Sequence, residues 1–281
     1  MADVSAKDVA ALRKVTGAGM MDCKRALQEN EGDVERAKDW LREKGIAGAA
    51  KRAGRDADQG SIEVLVEGSV GAIVELNCET DFVAKGDVFK QAVASLAKIV
   101  VEHGDADLGS RTIGGETVDD FVKGLSGTLG EKIEVGRVVR FEAADGLIDG
   151  YKHVQNERGV VGVLVELGGV DGGDAKAREV AHDIALHIAS AAPRFVSRDD
   201  VPADEVARER EVLEKQTAEE GKPEQAWPKI VEGKLNGFFK TVALVEQSFV
   251  KDQKQTIGAL VEGLGSGATV RRLARVKIGE D

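Results

Sequence analysis

One hexapeptide pattern occurs twice and limits what this chain can fold into. Gly71-Ala72-Ile73-Val74-Glu75-Leu76 and Gly162-Val163-Leu164-Val165-Glu166-Leu167 stand 91 positions apart and share their Gly, Val, Glu and Leu positions. Such self-similarity is the mark of an internal duplication. The residues around each copy agree with it. Ser61 to Glu67 alternates apolar with polar, Gly68-Ser69-Val70-Gly71 turns, and Ala72 to Cys78 alternates again, which predicts a β-hairpin. Tyr151 to Val154, a turn at Glu157-Arg158-Gly159 and Val160 to Leu167 predict a second one. A helical pattern follows each hairpin, with Phe89, Val93, Leu96, Ala97 and Val100 in the first copy and Ala177, Val180, Ala181, Ile184 and Ile188 in the second. Each copy then ends on a further strand, Ile133 to Phe141 and Thr269 to Val276. The expected fold class is therefore α+β, with a core of two related subdomains, each a small antiparallel sheet with helices on one face. The first occupies residues 54–145 and the second 146–281.

The second copy carries an insertion at about 204–240. Asp204 to Glu220 and Glu224 to Lys240 read as two helices joined at Gly221-Lys222-Pro223. Val206, Leu213, Ile230, Val231, Leu235 and Phe238 can form a shared seam, as in an antiparallel helical hairpin. Polar outer faces suggest that the hairpin projects from the body, and a pair folded back onto the sheet is the other reading.

Residues 1–53 read differently. Ser5 followed by Asp8 is a capping signal, Val9, Leu12 and Val15 recur at helical spacing, and Thr16-Gly17-Ala18-Gly19 stops the pattern. A second helix runs from Met20 to Glu29, and a third, marked by Val34, Ala37, Trp40 and Leu41, is expected to end at Gly45. This is a compact three-helix module too small to bury much area alone, so it suits a recognition knob on a larger body. Ala47 to Asp58 reads as its linker. Met20 and Met21 follow a Gly-rich turn at a helix start; core filling is one role for them, and soft, adaptable contact is the other. Lys24 stands one turn later on the same side, as a contact or as a plainly solvated charge.

Composition excludes several classes. Among 281 residues, 42% are apolar and 32% charged, the pattern of a soluble globular chain. Residues 1–60 carry twelve Lys and Arg against eleven Asp and Glu, so the formal net charge of −11 resides in the body, which argues against direct nucleic-acid binding. Cys23 and Cys78 are far apart and lack zinc spacing, so neither a disulfide framework nor a metal is indicated, and a reducing cytoplasm is expected. The opening Met1-Ala2-Asp3-Val4-Ser5 has no export-signal character, and no run of about 18 apolar residues is present to span a membrane. The phosphate-loop, nucleophile-elbow and metalloprotease motifs are missing, and His182 and His187 are spaced poorly for a shared metal. No catalytic residue, cofactor or metal is expected.

What remains is the corner Asn77-Cys78-Glu79-Thr80-Asp81-Phe82-Val83-Ala84-Lys85-Gly86-Asp87, where a strand gives way to a helix with an acid beside a large aromatic. In one reading Thr80 or Asp81 caps a helix while Phe82 plugs the core. In the other, Phe82 enters an apolar cleft of another protein, where burying the ring contributes about 1.5–3 kcal/mol, and Asp81 brings negative charge to an ion site. Composition does not choose between them.

The run Thr16-Gly17-Ala18-Gly19-Met20-Met21-Asp22-Cys23-Lys24-Arg25-Ala26-Leu27, together with Asn77 to Lys85, closely resembles the bacterial elongation factor Ts family. Ile184 to Ser190, Gly221-Lys222-Pro223 and Gln247-Ser248-Phe249-Val250 extend the resemblance over essentially the whole chain. The resemblance implies a guanine nucleotide exchange factor for the GTPase elongation factor Tu. It further implies a ubiquitin-associated-like N-terminal module, a two-part core and a coiled-coil hairpin. In that family the Asp-Phe of the TDFV motif, here within Thr80, Asp81, Phe82 and Val83, inserts between helices of the GTPase domain near the magnesium and disturbs the phosphate loop. Further implied contacts are Met20, Met21 and Lys24, then Leu129, Gly130, His187 and Val250; a buried structural role is the other reading of His187. Two departures stand out. The chain is expected to lack the C-terminal helical module of some relatives, and Lys251 follows Val250 where relatives can carry an apolar residue. A helical-bundle adaptor without exchange activity is the alternative function, though it leaves the acid–aromatic corner unexplained.

Overall fold

The computed structural model describes residues 4–49, 52–221 and 223–280. The opening Met1-Ala2-Asp3, two residues of the expected linker, Lys222 of the interhelical turn and the terminal Asp281 lie outside the described residues. The chain divides into two compact units, one of residues 1–141, 152–162 and 276–281, the other of residues 142–151 and 163–275.

The first unit opens with helices α1 (Ala6–Thr16), α2 (Met20–Glu29) and α3 (Val34–Ala49). Ser5 caps α1 by accepting the Asp8 N–H at 3.1 Å, and Gly17, at φ 72°, ends it. Leu12, Cys23, Ala26, Leu27 and Ala37 form the small core of these helices. Contrary to the sequence reading, α3 does not stop at Gly45; it runs four residues further. Gly45 is a point of close approach instead of a stop. A Cβ there would lie 3.0 Å from the Cα of Gly127 on α6 (Val118–Leu129), and a Cβ on Gly127 would overlap the Gly45 backbone in turn. Facing glycines thus let two helix backbones come together where any side chain would hold them apart.

Strands β1 (Gln59–Glu67) and β2 (Val70–Cys78) pair antiparallel from Gln59↔Cys78 to Glu67↔Val70, closed by a turn in which Gly68 takes φ 60°. With β5 (Ile133–Glu142) they form a sheet ordered β1-β2-β5. Between these strands come the short helix α4 (Asp81–Ala84), then α5 (Asp87–His103), the two-residue strands β3 (Thr112–Ile113) and β4 (Glu116–Thr117), and α6. Helix α5 packs on β1 and β2, burying Phe89, Val93, Leu96, Ala97 and Val100 with Val74 and Leu76.

Strands β6 (Leu147–Gln155) and β7 (Arg158–Gly168) form the second hairpin, and β10 (Thr269–Lys277) completes the order β10-β7-β6. The turn falls at Asn156-Glu157, both at positive φ, one residue earlier than the glycine-based expectation. Paired positive φ is what a two-residue hairpin needs, and Asn tolerates it better than most side chains do. The second unit holds α7 (Ala175–Ala191), α8 (Ala203–Glu219), α9 (Trp227–Val242), the strands β8 (Ser248–Phe249) and β9 (Asp252–Thr256), and α10 (Ile257–Glu262). Helices α8 and α9 pack on each other through Leu213, Val231, Leu235, Phe239 and Val242, with Val206 and Phe238 partly buried at the margin. The second helix starts three residues later than expected, because a 3-10 turn at Glu224–Ala226 precedes Trp227 and Pro228 takes a first-turn position.

The repeated hexapeptides are the central strands of the two sheets. Their glutamates, Glu75 and Glu166, are equivalent and each only 4% exposed. A carboxylate buried in a sheet needs a cation. Arg137 Nε on β5 donates to Glu75 at 2.9 Å, and Arg272 Nε on β10 donates to Glu166 at 2.5 Å.

A Gly127→Ala substitution is expected to destabilise the chain by about 1–3 kcal/mol, the usual result of forcing a methyl into a closed contact. Urea unfolding of the variant checks it; an unchanged midpoint would show that α3 and α6 can part freely.

Candidate functional site

The corner between β2 and α5 is built from its backbone outwards. Thr80 takes extended angles, φ −127° and ψ 152°, and its Oγ1 accepts the Val83 N–H at 3.4 Å, so it caps the single turn α4. Of the reading in which Thr80 or Asp81 caps a helix while Phe82 plugs the core, one half therefore holds, since Thr80 is a cap. The other half fails: Phe82 is 81% exposed, the most exposed large apolar side chain among the described residues. Lys85, one turn on, donates to Asp81 at 2.5 Å and places its Nζ 5.7 Å from the centre of the Phe82 ring. That hydrogen bond, and then the ammonium charge, hold the Asp81 carboxyl below the ordinary carboxylate range. Val83 is half-buried against the unit's core.

The corner is tied from behind by residues that sequence reasoning did not single out. Glu131, in the loop after α6, accepts the Thr80 N–H at 2.9 Å and the Thr80 hydroxyl at 2.5 Å. Glu79 returns the contact by accepting the Lys132 N–H at 2.6 Å, and Arg55 donates to it at 3.1 Å. The Lys132 bond and Arg55 lower the Glu79 pKa. Beneath them the Cys78 thiol donates to the Thr80 carbonyl at 3.1 Å; burial, aided by the Glu131 charge, pushes it up to about 12, so it is an inert packing group. Lys85 could have been found from its four-residue spacing to Asp81. Glu131 could not, since no local pattern links it to a residue 51 positions away.

Leu129 and Gly130 adjoin this clasp. Gly130 ends α6 at φ 81°, and Leu129 packs into the core beside Gly17, whose added Cβ would meet it at 3.0 Å. That turn leads directly to Met20 and Met21, both exposed. They line, with Lys24, Val9, Ala10 and Arg13, a groove of about 670 Å³ on the three-helix module. The structure thus brings the corner, Leu129-Gly130 and the Gly17 turn into one continuous neighbourhood of the first unit.

His187 and Val250 meet in the second unit. His187 is 1% exposed. Its Nε2–H donates to Gln247 Oε1 at 2.8 Å and its Nδ1 accepts the Val250 N–H at 3.3 Å, a pattern that fixes the neutral tautomer. Val250 itself is exposed, and Lys251 is drawn onto α7 by an ion pair with Asp183 at 2.6 Å. At the place equivalent to the first corner, Asp174 merely caps α7, accepting the Lys176 and Ala177 N–H groups. Among the described residues no group of three or more His, Cys, Asp or Glu is disposed to hold a metal ion, and no helix is long and apolar enough to cross a membrane.

The family model for elongation factor TS matches residues 79–280, from Glu79 within the tied corner onwards. The chain is 46% identical over 287 residues to elongation factor Ts of Thermobifida fusca, covering 100% of both proteins. It is 44% identical to that of Micrococcus luteus over 284 residues and to that of Streptomyces avermitilis over 287, covering 99% of this chain and 100% of each relative. The chain belongs to the elongation factor Ts family. Its role is that of the family, nucleotide exchange on elongation factor Tu in translation elongation.

For a member of the elongation factor Ts family, the environment of His187 has a measurable consequence. Burial lowers its pKa from the ordinary 6.5, outweighing the Gln247 bond that raises it. A protonated ring would also turn a second N–H against the Val250 N–H. The folded state thus binds fewer protons than the unfolded one below pH 6.5, so this contribution to stability is complete above pH 6.5 and lost as pH falls. The stability difference between the parent chain and His187→Gln should shrink from pH 7.5 to 5.5 in urea titrations; a difference independent of pH would contradict it.

Proposed function

We propose that exchange is driven by the corner of the first unit, with Asp81 and Phe82 entering elongation factor Tu·GDP near its magnesium and phosphate site. The observation that carries this reading is Phe82, a phenyl ring left 81% exposed on a turn that is capped and tied from behind. A solvent-facing ring on a rigid support is a loaded contact, because its burial in a partner gains about 1.5–3 kcal/mol without first having to be ordered.

A GTPase holds its nucleotide through the N–H groups of a phosphate loop, a lysine and a bridging magnesium ion. Displacing the helices that position the metal weakens several of these contacts together, and an introduced carboxylate competes for the cation. Factor and nucleotide then favour different conformations of the GTPase, so each lowers the affinity of the other by the same factor. GDP leaves, and the factor is displaced as GTP binds. The chain transfers no chemical group and has no catalytic residue in that sense; it acts in the cytoplasm, on a protein partner, without direct contact to nucleic acid or membrane.

The remaining contacts distribute binding over the chain. Residues 1–53 serve as a ubiquitin-associated-like module that docks through Met20, Met21 and Lys24. In residues 54–145, Thr80 and Val83 support the wedge and Leu129-Gly130 adjoin it. In residues 146–281, Val250 makes a second contact with His187 set behind it, and helices α8 and α9 form a coiled-coil hairpin.

Release of fluorescent GDP from elongation factor Tu, followed by stopped flow, tests the wedge. Phe82→Ala should slow release at saturating factor by at least tenfold, a loss of about 1.4 kcal/mol or more of transition-state stabilisation. Its unfolding free energy should stay within about 0.5 kcal/mol of the parent, since the ring touches little of its own chain. Full exchange by Phe82→Ala would remove the wedge.

A further inference from the structure

We propose that Glu131 and Glu79 are positioning residues for exchange: their crossed carboxylates hold the Asp81-Phe82 turn and the Leu129-Gly130 loop as one preformed surface. This rests on the wedge reading of Phe82.

Helix α4 is four residues long, too short to persist by its own hydrogen bonds. Its support is external, and it is reciprocal. The strand-to-helix corner gives two hydrogens, the Thr80 N–H and Oγ1–H, to the two oxygens of Glu131 at 2.9 and 2.5 Å. The loop that bears Glu131 gives its Lys132 N–H to Glu79 at 2.6 Å. Each segment therefore donates backbone to a carboxylate of the other, and bonds to an ionised acceptor are roughly twice as strong as neutral ones. A fourth bond, from the Ser126 hydroxyl to the Glu131 carbonyl at 2.5 Å, ties the loop to the last turns of α6. Arg55 on Glu79 at 3.1 Å offsets one of the two negative charges, while the Lys132 ammonium is engaged with Glu134 at 2.9 Å.

The chemistry of the pair favours an acid. Thr80 presents two donors to one side chain, and a carboxylate accepts both with its full charge; glutamine has the same shape but offers the hydroxyl an NH₂ donor, which reverses that bond and removes the charge that strengthens both. Without the clasp the turn would sample other orientations, including ones that lay the phenyl ring on its own surface. Only the competent fraction binds, and apparent affinity falls by that fraction. The geometry is recovered once bound, so the signature is a change in half-saturating concentration with the saturated rate retained. Phe82→Ala differs from this in lowering the saturated rate itself.

The test is stopped-flow release of fluorescent GDP from elongation factor Tu over a range of concentrations of the full chain. Glu131→Gln should raise the half-saturating concentration roughly tenfold while leaving the saturated rate within about twofold. Glu79→Gln, which weakens the other half of the clasp without touching Thr80, should move in the same direction. In a Phe82→Ala background, Glu131→Gln should add less than about a twofold change, because there is no ring left to orient. Equal losses in both backgrounds would mark a general structural defect and overturn the proposal, as would unchanged half-saturation in both single variants. A Phe82→Ala chain with full exchange would defeat the wedge itself and the positioning role with it, an outcome read from a different variant.

Discussion

An exposed phenyl ring is under constant pressure to collapse onto the protein that carries it. Burying Phe82 against its own chain would recover part of the roughly 1.5–3 kcal/mol available to a phenyl side chain. What resists this is the pair of hydrogens that Thr80 gives to Glu131, since they fix the backbone from which α4 starts. The core below contributes from the other side: Ala84 is fully buried and Val83 is packed on the same cluster, so the turn cannot roll over without opening it. Lys85 closes the front, paired to Asp81 and close to the ring face. The acid and the aromatic are thus presented by three different interactions, none of which buries either of them.

The duplication shows how such a site can arise without disturbing the fold. Both central strands keep a buried glutamate answered by an arginine from a neighbouring strand, Glu75 with Arg137 and Glu166 with Arg272. Losing one partner of such a pair would strand a charge, which couples the two positions in each unit. The segments just beyond these strands have no such obligation and differ in kind. After β7 the chain reaches α7 through a turn whose Asp174 does no more than cap it. After β2, an extra turn of helix is interposed, and it is this insertion that carries Phe82.

How much could be read from residues follows the range of the interactions involved. Strands, hairpins and long helices were legible, because alternation and helical spacing are local. The turn at Asn156-Glu157 lies one residue before the position that Gly159 suggests, because Gly159 does not take the positive φ that the turn uses. Gly45 read as a helix stop because sequence alone cannot see Gly127 facing it. At the site, Asp81 and Phe82 stood out by chemistry, but whether Phe82 faced inwards or outwards depended on Glu131, which is distant in sequence and unremarked by any local pattern. His187 shows the reverse case. It was singled out by resemblance, yet its ring is spent on Gln247 and Val250, and it is Val250 that reaches the surface.

On the proposed reading, the division of labour among these residues follows from what an exchange factor has to do. It must bind a GTPase well enough to displace GDP and then give way to GTP, so the free energy that holds it has to be separable from the free energy that distorts its partner. Interactions made equally with every state of the GTPase shift no equilibrium, however strong they are. Apolar contacts remote from the nucleotide, such as those from the Met20-Met21 groove and from Val250, fit that holding role. The wedge is different, because its ring and carboxylate find a place only in a partner whose helices have moved, and only such differential contacts accelerate release. A wedge that also provided most of the affinity would trap the complex. A single ring and a single carboxylate on a short, firmly tied turn provide little holding energy and a large bias between conformations, which is the balance that a reversible exchange cycle demands.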